Sequence, residues 1–193
     1  MILCRTQRIV LRTFEEKDLE TVHRWISSPR ITAPGEPVRN DLEQYRAMFA
    51  RDRFHGEGRQ RYIVQLADES IVGEISCFDF FRGTTAPAVY EIGVLVGEMS
   101  ARNKGIGTEA QRAMIDSLFS TREVNRVQAF THVENLAEQH ALENCGMKRE
   151  GRLRQMVRVD GRFREWFAYS ILRREWEESA VYSPTASWRT EGA

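Results

Sequence analysis

The chain has 193 residues, 41% hydrophobic and 29% charged, which suits one ordinary domain with a real core and argues against disorder. Lys plus Arg and Asp plus Glu each total 28, giving a formal net charge of zero. That balance argues against a protein built to coat nucleic acid or an anionic membrane, and no nucleic-acid partner is expected.

Cys4, Cys77 and Cys145 are sparse, and no pair has metal-ligand spacing, so neither a disulfide scaffold nor a metal site is expected. Arg5 and Arg8 fall where a leader peptide would need its apolar stretch. No apolar run approaches the ~18 residues of a membrane span, so the expectation is a cytoplasmic protein with no membrane partner.

Residues 7–13 alternate as a first strand, and Thr13 with Glu16 has capping-box spacing. A helix to about Ser28 follows, with Leu19, Val22, Trp25 and Ile26 on one face, and Pro29, Pro34, Gly35 and Pro37 break it. Leu42, Tyr45, Met48 and Phe49 predict a second helix over Asp41–Phe54. Strands are expected over Arg61–Leu66 and Ile71–Phe80, joined by a hairpin at Asp68-Glu69-Ser70, and over Ala88–Val96. Then come a helix over Thr108–Phe119, a strand over Val124–Val133 and a short helix over Ala137–Asn144 stopped by Gly146. Strands Arg152–Val159 and Arg162–Leu172 flank Asp160-Gly161, the strongest short hairpin signal in the chain. The tail from Ala180 has no period. Mixed strands with interspersed helices mean an α/β or α+β sheet covered by helices.

The chemistry concentrates between Glu91 and Thr108. A strand runs into Arg102-x-x-Gly105-x-Gly107 and then into a helix. Backbone N–H groups at such a turn converge, and the helix terminus adds partial positive charge. Arg102 and Lys104 add charge at the rim of this anion cradle. The loop is neither a P-loop nor a dinucleotide fingerprint. Taken alone, it reads equally well as a phosphate site or as a Gly-rich turn before a helix.

Several motifs in order carry a family resemblance. Thr6-Gln-Arg-Ile-Val-Leu-Arg12, Asp18, Trp25, Tyr90-Glu-Ile-Gly93, Lys104-Gly-Ile-Gly-Thr-Glu-Ala110, Asn135, Glu143, Gly146, Glu150-Gly151, Arg154 and Asp160-Gly161 through Arg173 resemble the RimJ/RimL-type branch of the GNAT N-acetyltransferases. The resemblance covers about residues 5–178. It implies a single domain over 1–178, with a loosely ordered tail over 179–193. It also implies an α/β (α+β) fold, with a mixed sheet splayed near Val94–Val96 and helices on both faces.

The implied function is transfer of acetyl from acetyl-CoA to a primary amine, on a protein N-terminus or a small molecule. The implied cosubstrate site comprises Val94, Leu95 and Val96 for the pantetheine arm, then Arg102, Asn103, Lys104, Gly105, Ile106, Gly107 and Thr108 for the pyrophosphate, with Asn135 opposite. A backbone N–H near Val94 is expected to polarise the thioester carbonyl. Glu91 is the expected base, pointing away from a core-facing Ile92, Val94 and Val96.

The chain departs from the family in three places. Leu142 stands where many members carry a proton-donating Tyr, Glu138 where some carry Ser, and Met147 where Phe is usual. Thiolate departure is then left to water, to Tyr90, or goes unassisted. These departures also keep open a CoA-binding sensor or partner-binding module with weak or no turnover.

Cys145, His132, His140, Trp25, Trp166 and Trp176 are expected to pack or face solvent rather than react. The run Arg152, Arg154, Arg158, Arg162 and Arg164 is expected mostly on one solvated face. Arg39, Arg46, Arg51 and Arg53 weakly favour an acidic acceptor, with exposed helix arginine as the default. The chain is expected to be a monomer or homodimer.

Overall fold

The computed structural model describes residues 1–29, 31, 41–56, 58–80, 88–159 and 161–179. The expectations placed on Pro34, Gly35, Pro37, Arg39, Asp160 and the tail from Ala180 lie outside them. Among the described residues the strands are β1 (Ile2–Arg5), β2 (Ile9–Thr13), β3 (Arg59–Leu66), β4 (Ile71–Asp79), β5 (Ala88–Val96), β6 (Val124–His132), β7 (Lys148–Val159) and β8 (Arg162–Leu172). The helices are α1 (Leu19–Ile26), α2 (Leu42–Asp52), α3 (Ile106–Thr121), α4 (Leu136–Asn144) and α5 (Arg173–Glu178). The strands form one mixed sheet in the order β1-β2-β3-β4-β5-β6-β8-β7. Neighbours are antiparallel except β5 and β6, which are parallel because α3 carries the chain back across the sheet.

Period-two alternation sorts side chains onto two faces. Tyr62, Val64, Ile75, Tyr90, Ile92, Val127 and Tyr169 join the core with Met114, Ile115 and Leu118 of α3 and Leu142 of α4. Ile63 and Phe14 belong to a second cluster, with Leu19, Val22 and Trp25 of α1 and Tyr45 and Phe49 of α2. Helices therefore cover both faces, as the family resemblance implies.

Local departures have local causes. The Thr13–Glu16 capping pair does not form; instead the Glu15 N–H donates to Asp18 Oδ2 at 2.8 Å. Asp18 is held there by Arg12, at 2.7 and 2.9 Å, so a tertiary ion pair organises the turn. Helix α2 is capped by Asp41, which accepts from the Gln44 N–H, and stops before Phe54 because Arg53 is left-handed at φ 55°. Helix α3 begins two residues before Thr108, directly after Gly105 at φ +76°. Strand β7 begins at Lys148 rather than Arg152, its pairing with β8 continuing past an irregularity to Ser170. Arg152 and Arg158 pair with Phe167 and Phe163, whereas Arg162 and Arg164 pair with Val159 and Val157. Register thus divides the arginine run between the two faces of the hairpin. Strand β1 and helix α5 were not anticipated, and both are too short for a hydrophobic period to register.

The α1/α2 face also buries charge. The Arg61 guanidinium is ion-paired to Glu74, and it lies 5.4, 5.1 and 4.6 Å from the rings of Phe14, Tyr45 and Phe54. Glu74→Ala would strand Arg61 among those rings. The expected loss in urea unfolding at neutral pH is about 3–5 kcal/mol, the usual cost of removing one partner of a buried pair.

Candidate active site

The site begins where two strands stop pairing. β5 and β6 run parallel from Ala88 to a last rung, Glu91 with Gln128. Beyond it β5 keeps β4 as far as Val96 opposite Gly73, while β6 keeps β8 as far as His132 opposite Trp166. Each strand follows its antiparallel partner, the slightly more stable pairing, and the twisted sheet opens between them. The fork thus opens at Glu91, three residues before the Val94–Val96 stretch expected. Among the described residues no strand pairs with Ile92–Val96 on that side.

Above the fork lies a cavity of about 380 Å³. Val94, Leu95, Val96, Arg102, Asn103, Gly105, Ile106, Gly107, Thr108 and Asn135 all line it. Lys104 and Glu91 do not; Lys104 is exposed, and Glu91 sits below the opening. Pro29, Ile31, Ala101, Ala137, Glu138 and Ala141 also line the cavity. Apart from Glu138, which stands at the family's Ser position, these carry no chemical signal a sequence reading would single out.

The loop is shaped by two left-handed residues, Asn103 at φ 57° and Gly105 at φ +76°. Alternation of this kind gathers successive N–H groups into one concavity. Helix α3 has no side-chain N-cap, so its first-turn N–H groups stay available to a ligand. Its first-turn acid, Glu109, accepts from Arg8 Nε at 2.6 Å and from Thr6 Oγ1, which neutralises its charge. Arg8 Nη1 also donates to the Lys104 carbonyl at 2.8 Å and ties the loop to the turn after β1.

Arg102 does more than add rim charge. Its Nε donates to the Val96 carbonyl at 2.8 Å, and its Nη2 donates to the Ile31 carbonyl. The end of β5 is further fixed by Gly97. A Cβ there would lie 2.0 Å from the Trp25 ring, so only glycine lets the strand end close on α1. Asn135 caps α4, its side-chain oxygen accepting from the Glu138 N–H at 3.3 Å, and the residue lines the cavity.

Glu91 lies on the α1/α2 face, as alternation with Ile92 predicts. Burial raises its pKa from the usual carboxylate range to about 7, while a Gln128 hydrogen bond and the charge of Arg59 pull the other way. Tyr90 faces the opposite side, and its hydroxyl accepts from Arg122 Nη1 at 2.6 Å. Leu142 is fully buried in the main core and outside the cavity lining.

Cys145 is also fully buried, donates to the Thr108 carbonyl at 3.5 Å, and has a pKa pushed up to about 12, so it packs rather than reacts. His132 is buried, accepting from the Glu134 N–H, and His140 is exposed. Trp25 packs in the core, and Trp176 packs on Phe119 while donating to Asp116. The helix arginines are engaged locally: Arg46 with Glu20, Arg51 with Asp52, and Arg53 over the Phe49 ring. They lend no support to an acidic acceptor.

The profile of the acetyltransferase (GNAT) domain matches residues 8–148. The chain is 27% identical over 172 residues to the N-acetyltransferase YnaD of Bacillus subtilis strain 168, covering 89% of this chain and 97% of that one. It is 25% identical over 179 residues to the ribosomal protein uS5 alanine N-acetyltransferase of Escherichia coli K12, covering 89% and 91%. In structure it superimposes on the spermidine N-acetyltransferase of Vibrio cholerae solved with CoA and spermine. There the TM-score is 0.78 at 19% identity, over 88% of this chain and 98% of that one. The chain therefore belongs to the GNAT acetyltransferases, in their RimJ/RimL-type branch. It is an acetyl-CoA-dependent N-acetyltransferase. Among the described residues no helix is long and apolar enough to cross a membrane.

The Glu91 shift has a consequence for stability. The folded state holds this proton more tightly than the unfolded chain, so the group's contribution is full below about 4.5 and is lost as pH rises through about 7. Allowing for solvent screening at its exposed edge, ionised Glu91 costs about 1–2 kcal/mol. Glu91→Gln is expected to raise the thermal midpoint by several degrees at pH ~8 and by much less at pH ~5, as read by calorimetry.

Proposed function

We propose that the chain moves the acetyl group of acetyl-CoA directly to a primary amine, with Glu91 as the base. The observation that carries this reading is the half-buried Glu91 carboxylate on the last rung before the strands part, with a pKa of about 7. The acceptor is a protein N-terminal amine or a small-molecule amine. Its support is that one relative acetylates an alanine of a ribosomal protein and one structural neighbour acetylates spermidine.

The residues present fit the cosubstrate. The open edge of Ile92–Val96 offers backbone partners to an extended amide-bearing arm, in the manner of an added strand. The turn at Asn103–Gly105 and the uncapped start of α3 offer N–H groups to a pyrophosphate, and the Asn135 amide faces the arm from across the cavity. Bound acetyl-CoA supplies the acyl carbon to which the amine nitrogen bonds and the thiolate that departs as the C–S bond breaks. The N–H near Val94 is the donor assigned to the acyl oxygen.

Glu91 takes the proton that the amine must lose, directly or through one water. A pKa near neutrality is what such a base requires, because the group must be ionised yet still basic. No side chain is assigned as the acid. A thiolate with pKa near ~8.5 leaves far more readily than an alkoxide. The buried Leu142 and the Arg122-bound Tyr90 agree with unassisted departure.

The test is release of free thiol from acetyl-CoA with a panel of amines: spermidine, an amino sugar and short peptides with free N-termini. Saturable release is expected with at least one of them. At saturating acetyl-CoA, kcat/KM should fall about tenfold per pH unit below pH ~7, and Glu91→Gln should lose about 10²–10⁴-fold. Near-normal turnover by that variant moves the base elsewhere. Gly105→Val should weaken CoA binding in calorimetry by at least about tenfold. A β-branched residue at a left-handed position costs about 1–2 kcal/mol and distorts the turn, while the fold persists. Unchanged affinity would remove the loop from the site.

A further inference from the structure

The last rung of the fork carries a second feature. Gln128, directly opposite Glu91, is buried, at 7% exposure. Its side-chain oxygen accepts from Arg126 Nε at 3.2 Å. Arg126 grips Glu150 with both terminal nitrogens, at 2.8 and 2.5 Å, and Glu150 also accepts from Ser170 Oγ at 2.7 Å. These residues come from β6, β7 and β8, and all lie on the side of the fork away from β4.

An Arg guanidinium only donates, so the edge of Gln128 that meets Arg126 must be its oxygen. A flipped amide would set two donors against each other. The NH₂ group is therefore directed away from Arg126. We propose that Gln128 is a positioning residue: Arg126, anchored by Glu150 and Ser170, locks its amide so that the NH₂ holds the Glu91 carboxylate at the mouth of the fork. This rests on Glu91 as base for its catalytic consequence, but not for its physical content.

The surroundings make the donor consequential. The carboxylate is pushed toward its neutral form by burial, and hydrogen bonding from Gln128 opposes that push. Arg59 on β3 is the charged group acting on Glu91 from across β4, on the same face. Arg61, two rungs further on, is occupied by Glu74. The helices packed on this face present Leu19, Val22, Trp25, Tyr45 and Phe49, with the His23 ring against Tyr45; their charged groups Arg46 and Arg51 are paired to Glu20 and Asp52, and His55, just past α2, meets the Arg61 carbonyl. Without Gln128 the site would hold a base too strongly protonated at neutral pH.

The experiment is a pH titration of side-chain carboxyl carbons by NMR on the ligand-free protein, with the Glu91 signal assigned by its loss in Glu91→Gln. The wild-type midpoint should fall near 7. Gln128→Met, similar in shape but without a donor, should raise it by about half a unit to one unit. Arg126→Met, which leaves the amide in place but unlocked, should raise it by less, and Arg126→Lys, still a donor, should restore it. A midpoint unmoved in both Met variants, with wild-type melting curves, would overturn the proposal. If Gln128→Met fails to fold, the two Arg126 variants decide alone. The acidic limb of thiol release with the best amine of the panel reports the base separately. A limb retained in Glu91→Gln defeats the reading of Glu91, and a limb lost there but unmoved in Gln128→Met defeats only this positioning role.

Discussion

The architecture depends on one limited pairing. β5 and β6 share a parallel ladder that ends at Glu91 and Gln128, after which each follows its antiparallel neighbour. A sheet that forks in its middle presents backbone donors and acceptors where an interior strand would hide them. The same fork leaves a carboxylate only half-buried at the point of divergence. The cavity, the open strand edge and the half-buried carboxylate all follow from that single loss of register partners.

The rest of the fold holds the fork open. On one side, Arg102 ties the Val96 carbonyl to Ile31, and Trp25 closes on Gly97, which fixes the end of β5. On the other, α4 packs Leu142, and its C-cap Cys145, into the main core and turns Ala137, Glu138 and Ala141 to the cavity. The short side chains of Ala137 and Ala141 leave room there, while Leu142 points inward. The two faces differ in character. The α3 face is a continuous apolar core, whereas the α1/α2 face buries the Arg12–Asp18 pair and, among aromatic rings, the Arg61–Glu74 pair. Buried pairs are costly to form and costly to break. Here they set the entry of α1 and the footing of α2, on the face that carries Glu91.

Much of this was legible in the chain. Helical spacing placed Leu19, Val22, Trp25 and Ile26 inward, and all four are buried. The strand Ala88–Val96 matches its expected bounds, and the hairpin turn at Asp68–Ser70 holds Glu69 at φ 67°. The Gly105-x-Gly107 turn marked the cavity because left-handed backbone and close approach leave a mark on residue type. Strand β1 and helix α5 left none, since four and six residues are too few for a period.

The sequence by itself determined which segments become strands and helices, which faces are apolar, and that a strand, a Gly turn and a helix N-terminus meet around Arg102–Thr108. Those are local properties of spacing and backbone preference. Only the tertiary structure decided where β5 and β6 part, which placed the opening at Glu91 rather than at Val94. It alone decided that Tyr90 serves Arg122 and that Leu142 belongs to the core. It also brought Gln128 opposite Glu91, 37 residues apart in the chain, with Arg126 and Glu150 behind it. Such partners are set by strand order and register, which arise from packing across the whole sheet and leave no pattern in any single stretch.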